Sequence, residues 1–196
     1  LLRWSTAQRN CNIKDNLVNT HISLINSGKQ KARGNFSVAT LFTKEEKEPL
    51  QIDIDMLPSE LLINNATWKM DKSNISIKDN TFAVNNFLIH NQDGSQEVNI
   101  NGKYSNKNST DILKAELKNI DLEYVFQTLA IDALQFGGDA TGKLYVSSVQ
   151  GKPYANTNLE VVDFKFNKTE LGKLNIFSEL DEATNKVVLD GLITSK

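Results

Sequence analysis

Leu50-Gln51-Ile52-Asp53-Ile54-Asp55-Met56 decides the fold class. Apolar and polar residues alternate strictly, so Ile52 and Ile54 project to one side of an extended chain and Asp53 and Asp55 to the other. That is a strand with one wet face. The same period returns in Ile75-Ser76-Ile77-Lys78, Phe82-Ala83-Val84, Val98-Asn99-Ile100-Asn101 and Leu159-Glu160-Val161. Further copies are Phe164-Lys165-Phe166-Asn167, Leu174-Asn175-Ile176 and Val187-Val188-Leu189. Between them, Asp71–Asn74, Asp79-Asn80, Gln92–Ser95 and Gly137-Gly138-Asp139 carry residue types that tolerate positive φ, so tight reversals are expected there. Pro49, Pro58 and Pro153 fall before or between the expected strands, where a missing N–H does no harm. The chain reads as all-β nearly throughout.

One stretch breaks the period. Leu122, Val125, Phe126 and Leu129 fall at helical spacing behind Asp121, an N-cap residue type, which predicts a short amphipathic helix over 121–130. Its apolar stripe must cover something. It either plugs an end or edge of the sheet, where open strand edges invite foreign pairing, or packs as a crossover on a sandwich.

Composition narrows the function classes. With 22 basic and 24 acidic side chains the formal charge is -2, so there is no field to gather phosphate backbones, and nucleic acid is excluded as a first reading. The densest basic cluster, Lys29, Lys31 and Arg33, sits in a polar stretch around Gly28 and Gly34 and reads as a solvated turn. A single cysteine, Cys11, rules out an internal disulfide and a multi-cysteine zinc site. The sequons at Asn35, Asn65, Asn74, Asn108 and Asn167 are what a chain with 23 asparagines produces by chance. No apolar run approaches the ~20 residues of a membrane-spanning helix. The first residue is Leu1 rather than methionine, which suggests a piece of a larger protein whose membrane contact lies in regions outside it.

No constellation of catalytic residues emerges. His21 and His90 have no local acid or cysteine at ligand spacing, so neither a metal nor another cofactor is expected. The carboxylates Asp53 and Asp55, and the run Glu45-Glu46-Lys47-Glu48, sit on a wet strand face and in a charged loop rather than in an aromatic cleft. Gly137-Gly138-Asp139-Ala140-Thr141-Gly142-Lys143 has the glycines of a phosphate loop but leads into the strand Leu144-Tyr145-Val146, not into a helix N-terminus. Trp4 and Trp68 are the residues of a glycan platform on a β-sandwich, although core packing is their commoner use. The expectation is a non-enzyme.

The C-terminal third has the order Gly138-x-x-x-Gly142-Lys-Leu144-x-Val146, Gly151-Lys-Pro153, Leu159-x-Val161, then Leu171-Gly172-x-Leu174-x-Ile176. Upstream lie Ile75-Ser-Ile-Lys-Asp-Asn, Phe87-x-Ile89-x-Asn91, Val98-Asn-Ile100-Asn-Gly102 and Asn119-Ile-Asp-Leu. Together, over 50–196, these resemble the strand repeat of TamB/AsmA-like envelope proteins of Bacteroidetes-type bacteria. The resemblance implies an internal segment of a periplasmic protein anchored in the inner membrane, with an elongated, curved, mostly antiparallel β-taco-like sheet. Its apolar groove would shield phospholipid acyl chains or assist outer-membrane protein assembly with a TamA/BamA-type barrel. The family has no catalytic residues to carry over.

Under this reading 1–196 is one continuous β-repeat segment: a strand array over 1–119, a helical insertion over 120–135 and a further repeat over 136–196. The lining of the groove would be Ile52, Ile54, Ile75, Ile77, Phe82, Val84, Val98, Ile100, Leu144, Val146, Leu159, Val161, Phe164, Phe166, Leu174 and Ile176. The same residues would serve as the closed core of an ordinary fold. A surface β-sandwich binding glycan or a partner protein is accordingly the alternative. Shielding is worth about 0.8 kcal/mol per buried CH2, so covering half an acyl chain amounts to several kcal/mol without any catalytic group.

Overall fold

The computed structural model describes residues 6–26, 32–63, 65–128, 135–181 and 186–195. Its strands are β1 (Thr6–Lys14), β2 (Leu17–Asn26), β3 (Ala32–Thr43), β4 (Gln51–Met56), β5 (Ser59–Ile63), β6 (Ala66–Met70) and β7 (Ser73–Lys78), followed by β8 (Thr81–Asn91), β9 (Glu97–Ser105) and β10 (Leu113–Asp121). A helix, α1 (Leu122–Thr128), precedes β11 (Phe136–Val149), β12 (Lys152–Phe166), β13 (Thr169–Asp181) and β14 (Lys186–Thr194). All the strands belong to one large curved antiparallel sheet of 14 strands. The sandwich alternative is not formed: among the described residues there is no second sheet to face the first.

Directly paired residues of an antiparallel ladder lie on one face, so the register tells which side chains share a surface. One rung runs Ile13, Val18, Thr40, Ile54, Ile75, Val84, Gly102, Leu113, Val146 and Ala155, crossing from β1 to β12. Beside it lie Phe42, Ile52, Ile77, Phe82 and Tyr104. This is the inner face. The opposite surface carries Asp53, Ser76, Ala83 and Lys103 along one rung, and Asn99, Glu116, Lys143 and Asn158 along another.

Bulges keep the apolar residues on the inner face where strict alternation would have flipped them. In β8 the register shifts between Val84 and Phe87, with Asn86 at φ 56°. In β10 it shifts between Leu117 and Ile120, with Asn119 at φ 47°, and in β12 between Val161 and Phe164, with Asp163 at φ 51°. The run Gly137-Gly138-Asp139, expected as a turn, lies inside β11 instead. Gly138 adopts φ 108° at a further shift, and a Cβ there would sit 2.5 Å from the Val162 carbonyl oxygen, so the strands approach too closely for a side chain. Pro153 is likewise within a strand, as the second residue of β12, paired with Ser148.

The sheet forks at one end. β3 and β8 are joined through β4 and β7 over part of their length and through the β5–β6 hairpin over the rest. That hairpin meets α1. Asp121 caps the helix as its sequence suggests, its carboxylate accepting a bond from the Tyr124 N–H at 3.0 Å. The expected helix end, Leu129 and residue 130, lies outside the described residues. Leu122, Tyr124 and Val125 pack with Leu61, Ile63 and Trp68 around the buried Ile120, Ala140, Val161 and Phe164. The helix therefore plugs one end of the inner face.

Candidate functional site

The inner face is an apolar trough lined by side chains from β4 and β7 through β13. Every one of the lining residues expected from the sequence lies on it. Ile52, Ile77 and Phe82 share one rung, and Ile54, Ile75, Val84 and Val146 the next. Ile100 and Leu144 are joined through Ala115. Val98, Leu159 and Ile176 are joined through Leu117 and Gly142, and Val161 pairs with Leu174. Phe166 pairs with Phe136, whose ring stacks on that of Phe164.

Burial divides this face in two. Val161 is 2% exposed, Phe164 5% and Val84 4%, so these serve as core, as the closed-core reading has it. Phe166 is 37% exposed. The other lining residues are half-buried: Val98 and Leu174 pack against the plug, and over the rest no second sheet lies among the described residues. No apolar side chain among the described residues falls below 2% exposure. The molecule thus has a plugged end with a small core and an unplugged stretch of trough running from Ile52 and Phe82 past Ile100 to Leu144.

Sequence reasoning missed several members of the face. Phe42, Phe87, Ile89, Leu113 and Leu117 sit on the same rungs. Phe87 and Ile89 follow a bulge that breaks the count from Val84, and Phe42 is identified only by its pairing with Ile52. Trp68 is 8% exposed and packed on Tyr124, so it offers no platform for a sugar. Trp4 lies outside the described residues, as do Lys29 and Lys31.

The carboxylates Asp53 and Asp55 and the two histidines remain apart. Asp53 accepts a bond from the Gln51 side-chain amide at 2.8 Å and Asp55 one from the Asn74 amide at 2.9 Å, on the outer face. His21 lies near Ser37 and Ser23, with ring nitrogens 2.9 and 3.3 Å from their hydroxyls. His90 belongs to an interior strand and faces Asp71 at 3.9 Å. Among the described residues no cluster of histidine, cysteine and carboxylate side chains could hold a metal ion. No helix among them is long and apolar enough to cross a membrane.

The outer face is wet and ion-paired: Glu116 meets Lys114 at 2.9 Å and Lys143 at 3.4 Å, and Glu160 meets Lys173 at 2.6 Å. The Lys114 ammonium bonded to Glu116 holds that carboxyl below its ordinary range, with Lys143 adding to the effect. The same face also carries the exposed apolar side chains Leu41, Val162 and Phe177, opposite Asp53, Asp139 and Asn158.

No protein-family model, curated protein or solved structure matches the chain.

Proposed function

We propose that the inner trough shields lipid acyl chains from water, and that the chain is a non-enzymatic segment of a TamB/AsmA-like protein acting between the two membranes of the envelope. The observation that carries this reading is the apolar face of a single curved sheet, which among the described residues has no second sheet over it and only α1 at one end. An antiparallel sheet with one apolar face must bury it against another layer, against itself or against a ligand. Beyond the plug no second sheet lies among the described residues, and although Val84 and Met70 are buried there by their neighbours, the half-buried remainder of the face supports burial against a ligand.

Acyl chains suit such a surface because they demand no directional contact. Each CH2 transferred from water to the trough contributes about 0.8 kcal/mol, so a modest length of contact lowers the cost of moving a lipid through water. In this role the protein is periplasmic, held by an inner-membrane anchor elsewhere in its parent, and hands its cargo to, or works with, an outer-membrane barrel of the TamA/BamA type.

The test is native mass spectrometry of the protein purified gently from envelope membranes, with extraction of whatever small molecules accompany it. Co-purifying phospholipid is expected. A lipid-free protein that also fails to take up acyl-chain probes would overturn the proposal.

A further inference from the structure

A cavity of about 410 Å³ opens beside the plug, between α1, the start of β11 and the end of β12. It adjoins the trough described above at Phe136, which pairs with the trough residue Phe166. Two aromatic rings line it: Phe126 and Phe136 lie 5.0 Å apart between centroids, and Phe136 also lies 5.4 Å from the trough residue Phe166. Its rim is cationic, carrying Lys165 and Lys168 against the single carboxylate Glu123. Lys165 is only loosely neutralised, by Glu170 at 3.5 Å, whose side chain is 80% exposed. Lys168 has no ion-pair partner among the described residues.

Lys168 is also held in an unusual way. Asn167 and Lys168 form the two-residue turn between β12 and β13 with φ 48° and 69°. Such turns take glycine or asparagine at the second position, because other side chains crowd the backbone there. Among the described residues the other two-residue turns Asp15-Asn16, Asp79-Asn80 and Gln150-Gly151 comply. The turn is clamped besides: the Asn167 N–H donates to the Gln135 carbonyl at 2.9 Å, and the Gln135 N–H to the Asn167 side-chain oxygen at 3.3 Å. Positive φ is not peculiar to this lysine, since Lys47 shares it at 72° in an exposed loop; what sets Lys168 apart is that its clamped turn lines an aromatic cavity.

We propose that this cavity is a second site, which binds an anionic amphiphile: an acidic head at Lys165 and Lys168, and an apolar body on Phe126 and Phe136. The volume falls within the ~300–1,000 Å³ of ordinary small-molecule pockets. The surplus cation selects a negative head, and the rings accept an alkyl or aryl body.

The proposal is tested on the full chain with a diazirine-bearing dodecanoate, its neutral methyl ester and inorganic phosphate as competitor, with labelled peptides mapped by mass spectrometry. The carboxylate labels the segment containing Phe126 or Phe136, and the ester labels it about threefold less or weaker, the scale of one exposed charge pair. Lys168→Gly reduces carboxylate labelling there by a similar factor, while its thermal midpoint holds or rises because glycine suits the turn. Equal labelling by the ester, unchanged labelling in Lys168→Gly, or full competition by phosphate alone would each overturn the proposal. Labelling around Ile77 reports on the trough in the same experiment, so either site can fail without the other.

Discussion

The Trp68 indole N–H donates to the Tyr124 hydroxyl at 3.2 Å, across 56 positions of sequence, and the two rings stack with centroids 6.1 Å apart. The same hydroxyl donates to the Ile63 carbonyl oxygen at 2.7 Å. One phenol thereby ties α1 to both strands of the β5–β6 hairpin and closes one end of the trough. Tyr124→Phe keeps the ring but leaves the indole N–H and the carbonyl without that partner. It is expected to lower stability by about 1–2 kcal/mol, read as a fall in the urea midpoint at unchanged slope. Trp68→Ala, which empties the centre of the plug, is expected to cost about 3–5 kcal/mol.

Glycines of this sheet differ sharply in what they tolerate. At Gly102, φ is 111° and a Cβ would sit 2.2 Å from the Ile112 carbonyl oxygen. At Gly94, φ is 70° but nothing lies within 4 Å. Gly94→Ala therefore bears only the backbone penalty of about 1 kcal/mol, whereas Gly102→Ala must also push β9 from β10 and should lose more than about 3 kcal/mol. Thermal denaturation of the two variants side by side checks this ordering.

Strand identity was legible in the sequence and strand register was not. The alternation of Ile52 with Ile54 and of Ile75 with Ile77 placed these residues on one face because nothing interrupts the period inside β4 or β7. In β8, β10 and β12 an inserted residue at Asn86, Asn119 or Asp163 shifts the count, and only the neighbouring strand shows that Phe87 or Ile120 returns to the inner face. Gly137-Gly138 misleads for the same reason, since glycine serves a bulge as well as a turn. The plug was half legible: the spacing of Leu122, Val125 and Phe126 behind Asp121 gives the helix. Trp68 as its partner depends on a contact that no local pattern encodes.

Acid should loosen the turn that joins β7 to β8. A hydrogen bond from the Lys107 ammonium holds the Asp79 carboxyl below its ordinary value of 3.8, aided by the lysine's charge and by the Asn80 N–H. Because the folded value is depressed, the contribution is complete above the unfolded value near 3.8 and is lost as pH falls through the folded one. Carbon-detected NMR titration should find the Asp79 pKa rising in Lys107→Met. The shift should shrink at high salt, as both groups face water.

The outer face should tolerate changes that the inner face does not. Ser76 and Ile77 are neighbours in β7 and project to opposite sides. Ser76→Lys, opposite Asp53, is expected to leave the fold within about 0.5 kcal/mol of the parent, while Ile77→Asp puts a charge on the half-buried apolar surface and should cost about 2 kcal/mol or more. Circular dichroism melts of the two variants measure the difference.

The most direct test of an acyl-shielding trough is where bound lipid touches the protein. A photo-crosslinking amino acid placed singly at Ile77, Ile100 or Leu144 on the inner face, and at Ser76, Asn99 or Lys143 on the outer face, reads this in envelope membranes. The account predicts phospholipid adducts from the inner positions and none above background from the outer ones. Adducts absent from all six positions, or equal from both faces, would contradict it.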